Sequence, residues 1–161
     1  MRDIDCILLL EDNEGDQFLI ENILQEAGLK KNLIICDNIT DYRKHIENYS
    51  PDVILADFHV PGFDSFDALQ ICKTHDAFTP FIFVTGSVSS EMAKDTIISA
   101  ADAYVLKDNL NDLPEVLKTL WVNSLNYRNM KTEYLKLTEL SRKFDRLRNK
   151  LKALIQKPLD P

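Results

Sequence analysis

Short apolar runs alternate with amphipathic segments five times along this chain of 161 residues. The apolar runs predict strands over residues 5–10, 32–36, 52–57, 80–85 and 102–106. The first, third and fourth runs are almost continuously apolar, which is typical of strands covered by helices on both faces. This alternation predicts right-handed crossovers between neighbouring strands and therefore a parallel sheet.

Helices are predicted between the strands over residues 15–27, 40–49, 64–75 and 89–100, and a fifth begins near residue 111. Gly28 ends the first helix, Thr40 is the predicted N-cap of the second, and Pro114 is tolerated in the first turn of the fifth. Five strands with this rhythm predict an α/β fold: a flavodoxin-like, doubly wound parallel sheet of order 2-1-3-4-5.

Chemically active side chains stand where the predicted strands end. Glu11 and Asp12 follow the first strand, Asp57 ends the third, Thr85 ends the fourth, and Lys107 follows the fifth. The carboxyl ends of parallel strands gather at one edge of the sheet, where open α/β folds bind ligands. Three acids there suit a hard cation, and the lysine and hydroxyl suit an anion such as a phosphoryl group. The alternative is that these residues only cap helices and turns.

The motifs at the four strand ends, taken together, resemble the response regulator receiver domain of two-component signalling. They are Leu10-Glu-Asp-Asn13, Asp52-Val-Ile-Leu-Ala-Asp-Phe-His-Val-Pro-Gly62, Phe83-Val-Thr-Gly86 and Tyr104-Val-Leu-Lys107. The resemblance implies a receiver domain over residues 1–127 and an extension over residues 128–161. It also implies a phosphoryl donor, either a sensor histidine kinase or a histidine phosphotransfer protein.

The same resemblance implies roles for the residues at the strand ends. Asp57 would be the phosphoacceptor, and Asp12 and Asp57 would ligate Mg²⁺ directly. Glu11 would act on the metal through water, and the backbone carbonyl of His59 would be the third protein ligand. Lys107 would pair with a phosphoryl oxygen.

Further residues would switch or time the signal. Thr85 would donate its hydroxyl to the phosphoryl group, and Tyr104 would swing inward as Thr85 moves. The side chains of His59 and Ser87 would tune dephosphorylation. Asp108 stands where the family usually has proline, which affects the geometry of that loop. The resemblance implies no enzymatic activity beyond the chain's own phosphorylation and dephosphorylation.

The charge is unevenly distributed along the chain. Formal net charge is −7 overall, with −13 on residues 1–127 and +6 on residues 128–161. This asymmetry suggests two parts with different partners, and the overall acidity argues against nucleic acid.

The three cysteines lack metal-ligand spacing and are predicted to be buried thiols. They are Cys6, Cys36 and Cys72. Because no signal peptide and no membrane-spanning run is recognised either, we expect a cytoplasmic protein without membrane insertion.

Residues 128–157 contain neither glycine nor proline, and their leucines are regularly spaced. An apolar residue recurs at alternating steps of three and four, as in the a and d positions of a coiled coil. An upstream series in another register ends at Leu137, where two steps of three follow each other as in a stammer. The fifth helix is therefore predicted to continue into a long amphipathic helix. The apolar residues are Leu137, Leu140, Phe144, Leu147, Leu151 and Leu154.

Three interpretations of this extension remain open: a homodimeric coiled coil through residues 130–154, a helix packed back onto the receiver, or a linker to a separate output domain. The basic residues interleave with leucine as on any solvated helix face, and no helix-turn-helix is recognised, which argues against DNA binding. The alternative function is a phosphorylation-independent scaffold that acts through the coiled coil.

Overall fold

A computed structural model describes residues 3–62, 64–86 and 100–155 of the chain. Its five strands form one parallel sheet in the order β2-β1-β3-β4-β5, which confirms the predicted fold class and strand order. Each strand begins one or two residues later than predicted. The strands are β1 (Ile7–Leu10), β2 (Leu33–Cys36), β3 (Val53–Asp57), β4 (Phe81–Thr85) and β5 (Ala103–Leu106).

Helices connect the strands as the pattern predicted. The described helices are α1 (Glu14–Glu26), α2 (Ile39–Tyr49), α3 (Ser65–His75), a 3₁₀ helix (Lys107–Asp112) and the C-terminal helix (Leu113–Ile155). The continuous C-terminal helix confirms the predicted helical extension. The helix predicted over residues 89–100 lies, apart from Ala100, outside the described residues.

The described helix ends lie within one or two residues of the predicted ends, but the predicted N-cap of α2 differs from the observed one. Gly28 follows α1 with φ of 69°, a conformation that glycine adopts without strain. The N-cap of α2 is Asn38, whose side-chain oxygen accepts a hydrogen bond of 2.9 Å from the Asp41 amide. The prediction of Thr40 was wrong because the helix begins one residue before it, at Ile39, where an asparagine already provides the capping oxygen.

The hydrophobic core lies on both faces of the central strands. Every residue of β1, β3 and β4 is buried, as expected for parallel strands sandwiched between helices. Tyr42 on α2 is fully buried, and its hydroxyl donates a hydrogen bond of 2.8 Å to the carbonyl of Ala68 on α3. All three cysteines are buried, as predicted. Within the described part of the chain, no helix is both long and apolar enough to cross a membrane.

The chain divides into two compact units, Met1–Ser124 and Leu125–Pro161. In the first unit, the early turns of the C-terminal helix bury Leu117 and Trp121, and the Ser124 hydroxyl donates to the carbonyl of Phe78 at 2.5 Å. In the second unit, the six apolar residues of the heptad pattern, from Leu137 to Leu154, are 50–66% exposed. The apolar seam that the sequence predicted is therefore open to solvent.

Tyr42→Phe should lower the free energy of unfolding of the first unit by about 1 kcal/mol, since it removes the hydrogen bond to α3 without changing side-chain shape. Urea denaturation followed by Trp121 fluorescence measures this change. Tyr49→Phe is the matched control on the same helix, because Tyr49 is largely exposed. Equal effects of the two substitutions would contradict the assigned role of the Tyr42 hydroxyl.

Candidate functional site

Parallel pairing brings the predicted site residues to one edge of the sheet. Leu10 of β1 lies opposite Ala56 of β3, so the acids that follow β1 come next to Asp57. On the other side, Thr85 of β4 lies opposite Leu106 of β5, so Lys107 follows directly beside them. The site is therefore built from the carboxyl ends of four neighbouring chain segments, as sheet topology requires.

Three of the predicted acids meet at this edge. Glu11, Asp12 and Asp57 each offer a carboxylate oxygen, and these oxygens all lie within 4.8 Å of one another. Glu11 and Asp57 are buried, whereas Asp12 is exposed. Like charges at this separation repel strongly unless a cation lies between them.

Lys107 provides one such cation. Its Nζ lies 2.8 Å from Glu11 Oε2, 3.1 Å from Asp57 Oδ2 and 2.5 Å from Asp16 Oδ2, and its side chain is only 14% exposed. Burial by itself disfavours the ammonium charge, but the hydrogen bond to Asp16 and the nearby Glu11 and Asp57 outweigh burial and raise the pKa of Lys107. The lysine is therefore fully charged at neutral pH and linked to three carboxylates.

Asp16 is a site residue that the sequence analysis missed. It lies in the first turn of α1, where an acid is ordinarily explained by the helix dipole. No pattern in the sequence distinguishes it from Glu14, the other acid of that turn. The backbone amide of Asp16 also donates a hydrogen bond of 3.0 Å to Oδ1 of the N-cap Asn13, which fixes the start of α1 beside the site.

Glu11 is held by the loop between β1 and α1. Its Oε1 accepts the Asn13 amide at 3.0 Å, and its backbone carbonyl accepts Gln17 Nε2 at 2.7 Å. Its Oε2 is buried and, apart from the ion-pair contact with Lys107, accepts no hydrogen bond from the residues that the structure describes. Burial raises the pKa of Glu11, and Asp57 adds to the increase, while Lys107 and the Asn13 amide oppose it.

This donor set fits a small divalent cation. The cluster offers hard carboxylate oxygens from three residues at short separations, which are the ligands that Mg²⁺ prefers. Among the described residues, Lys107 is the only group in contact with the buried Oε2 of Glu11, and a cation or its water shell would add a second positive partner. The residues of this edge therefore satisfy the chemistry of a magnesium site.

The loop after Asp57 is anchored by Ser65. The Ser65 hydroxyl donates to the backbone carbonyl of Phe58 and lies 3.4 Å from that of Asp57. Phe58 packs edge-on against Phe83, with ring centres 5.4 Å apart. His59, whose backbone carbonyl is the predicted third ligand, has an exposed side chain that contacts the Phe58 ring.

The predicted switch residues lie on β4 and β5. Thr85 is buried at the end of β4, and Tyr104 lies opposite Phe83 with 38% of its surface exposed. The Lys107–Asp108 peptide is trans, as are all peptide bonds in the described residues. Ser87, predicted to tune dephosphorylation, lies outside the described residues.

Comparison with known proteins gives a consistent result. The family model described as "Response regulator receiver domain" matches residues 7–118. The chain is 28% identical over 134 residues to regulatory protein AtoC of Escherichia coli, covering 83% of this chain but only 28% of AtoC. It is 28% identical over 104 residues to chemotaxis protein CheY of Halobacterium salinarum, covering 63% of this chain and 82% of that protein.

Solved structures show the same fold. One is the receiver domain of a sensor histidine kinase from Pseudomonas aeruginosa, solved with a magnesium ion coordinated in its active site cleft. It superposes with a TM-score of 0.63 at 21% identity, covering 74% of this chain and 98% of that domain.

Glu11→Gln should raise the melting temperature of the metal-free protein by about 2–4 °C, which corresponds to about 1 kcal/mol in a chain of this size. The raised pKa of Glu11 means that folding disfavours its charged form, and glutamine removes that charge at nearly constant shape. The difference in melting temperature between the variant and the unmodified chain should decrease as pH falls, because the Glu11 carboxylate itself then binds a proton. Differential scanning fluorimetry in EDTA at several pH values measures it.

Asp12→Asn is the matched control for this measurement. Asp12 belongs to the same acidic cluster but is exposed, so its neutralisation should change the metal-free melting temperature little. Because both residues belong to the candidate metal cluster, added Mg²⁺ should raise the melting temperature of each variant less than that of the unmodified chain. If the melting temperature rises equally in both metal-free variants, repulsion within the whole acidic cluster, and not burial of Glu11, destabilises the metal-free protein.

Proposed function

Because the chain belongs to the response regulator receiver domain family, we propose that it accepts a phosphoryl group on Asp57 from a phosphohistidine donor. The observation that carries the proposal is the juxtaposition of the buried Asp57 carboxylate with Lys107 and two further acids at the carboxyl edge of the sheet. This set contains a nucleophile, a fixed cation and a group of hard metal ligands. The output is a change in the surface offered to partners.

Asp57 is the nucleophile of the proposed transfer. One of its carboxylate oxygens attacks the phosphorus of the phosphohistidine, an O–P bond forms, and the N–P bond breaks with its electron pair leaving on the imidazole nitrogen. Lys107 already contacts Asp57 Oδ2, so its ammonium is positioned to pair with a phosphoryl oxygen as charge accumulates there. The product is an acyl phosphate on Asp57.

Magnesium would be held at the acidic cluster. Asp12 and Asp57 would ligate it directly, Glu11 through water, and the backbone carbonyl of His59 would complete the protein ligands. When bound, the ion supplies positive charge that offsets the repulsion between the phosphoryl oxygens and the carboxylates. The Ser65 hydroxyl supports this arrangement by fixing the backbone that leads from Asp57 to His59.

Thr85 and Tyr104 form the proposed switch. Thr85 would donate its hydroxyl to a phosphoryl oxygen, which draws the end of β4 toward Asp57. Tyr104 is partly exposed in this state and adjoins β4 through Phe83, so it would turn inward when Thr85 moves. His59 and Ser87 would set the lifetime of the acyl phosphate.

The partners of the proposed reaction are a sensor histidine kinase or a histidine phosphotransfer protein, and the proposed location is the cytoplasm. The chain would catalyse only its own phosphorylation and dephosphorylation. Homodimerisation through residues 130–154 stays a prediction, and the proposed switch would control either partner binding or the geometry of that region.

The proposal predicts that acetyl phosphate with Mg²⁺ adds one phosphoryl group, detected by intact-mass spectrometry. Asp57→Asn and omission of Mg²⁺ should each abolish the adduct, because the nucleophile or its charge compensation is then missing. Asp64→Asn, a change of the same kind at an exposed acid outside the cluster, should leave it intact. No adduct, together with failure to bind beryllofluoride, would favour the scaffold function.

Asp16→Asn should strengthen beryllofluoride binding about tenfold, because Lys107 would no longer divide its charge between Asp16 and the phosphoryl analogue. Titration in Mg²⁺ followed by Trp121 fluorescence or calorimetry measures the affinity. Glu14→Gln is the control, since it removes the same charge from the first turn of α1. Equal changes in both variants would assign the effect to net charge.

A further inference from the structure

The apolar seam of the second unit is bordered by basic side chains. The residues of this distal seam are Leu137, Leu140, Phe144, Leu147, Leu151 and Leu154, which take heptad positions a and d in turn. Positions e and g flank such a seam and face the corresponding positions of a partner helix. Here these positions carry no acid: Lys136, Lys143 and Lys150 are at g, and Ser141, Arg148 and Ile155 are at e.

The acids of this segment lie away from the seam. Glu139 and Asp145 take positions c and b, where they pair within the helix with Lys143 and Arg148 at 2.8 Å. All four side chains are more than half exposed, so these pairs contribute little to stability and are readily exchanged for other partners. Lys143 and Arg148 can therefore exchange these pairs for ion pairs with acids of a partner.

A second copy of the chain is a poor match for this border. In a parallel pair, Lys143 at g of one helix would face Arg148 at e of the other. In an antiparallel pair, the lysines at g would face one another. Both arrangements place like charges beside the apolar seam, which disfavours self-association.

The width of the seam distinguishes a helix partner from a membrane. The apolar stripe is limited to positions a and d over most of its length, which is the narrow seam of helix pairing. Helices that lie on membranes have a broader apolar face that enters the acyl region. The lysines at g would border a partner helix on one side of the distal seam, and Arg148 at e would border it on the other.

We propose that the distal seam binds an amphipathic helix of another protein that carries leucine-type residues at its seam and glutamate or aspartate at its flanks. Leucine packing would supply the affinity, and pairing of Lys143, Lys150 and Arg148 with the partner's acids would select it against a second copy. This surface is independent of the proposed phosphorylation of Asp57, so either conclusion can fail without the other.

The test uses the whole chain and two fluorescent peptides of about three heptads, identical except that one carries glutamate and the other lysine at positions e and g. Anisotropy titration should show the acidic peptide binding at least about tenfold more tightly at low salt, with a smaller difference at about 0.5 M NaCl. Leu140→Asp with Leu147→Asp should abolish binding, because both substitutions place charge in the seam.

A charge swap tests the flanks separately. Lys143→Glu with Lys150→Glu should reverse the preference, so that the basic peptide binds better. Arg146→Glu with Lys152→Glu makes the same change in net charge at the outer positions c and b, and it should keep the original preference. Circular dichroism of all variants checks that the helix is retained.

Three outcomes would overturn the proposal. One is equal affinity for the two peptides. Another is self-association in sedimentation velocity that the two leucine substitutions abolish, which would assign the seam to a second copy. The third is co-sedimentation with vesicles of anionic lipid, lost in the same leucine variant, without binding of the acidic peptide.

Discussion

Electrostatic repulsion at the carboxyl edge of the sheet is the constraint on which the functional architecture depends. The parallel order places β1 beside β3, and the acids that end these strands cannot then avoid one another. Lys107 compensates part of this charge from the end of β5, and it reaches the acids only because β4 and β5 complete the sheet on that side. Folding of the outer strands and stability of the acidic cluster are therefore linked.

Lys107 compensates only part of the negative charge of the cluster. Glu11 is buried, Lys107 is the only partner of its Oε2 among the described residues, and burial raises its pKa. Under the proposed function, a divalent cation bound at this cluster would offset part of that unfavourable burial. Asp16 also forms an ion pair with Lys107, and this pair stabilises the observed arrangement of the side chains at the site.

Sequence patterns predicted the sheet, its order and the meeting of the strand-end residues, because each follows from apolar runs and parallel topology. Local chemistry was harder to predict. Asn38 and Thr40 are both good capping residues, and only the position of the first helical turn distinguishes them. Asp16 was missed because an acid in the first turn of a helix is common without any site. The exposure of Tyr104 depends on packing around β5, which no single-sequence pattern encodes.

Burial of the three cysteines has a practical consequence for work on this molecule. Burial raises the pKa of the Cys6 thiol and raises that of Cys36 and Cys72 to about 12. At neutral pH the native chain thus carries almost no thiolate, and alkylating reagents have nothing to attack until the sheet opens. A cysteine introduced at an exposed position of the second unit, such as Asn149→Cys, would be the one reactive thiol among the described residues. The fold thereby allows a single spectroscopic label without removal of any native cysteine.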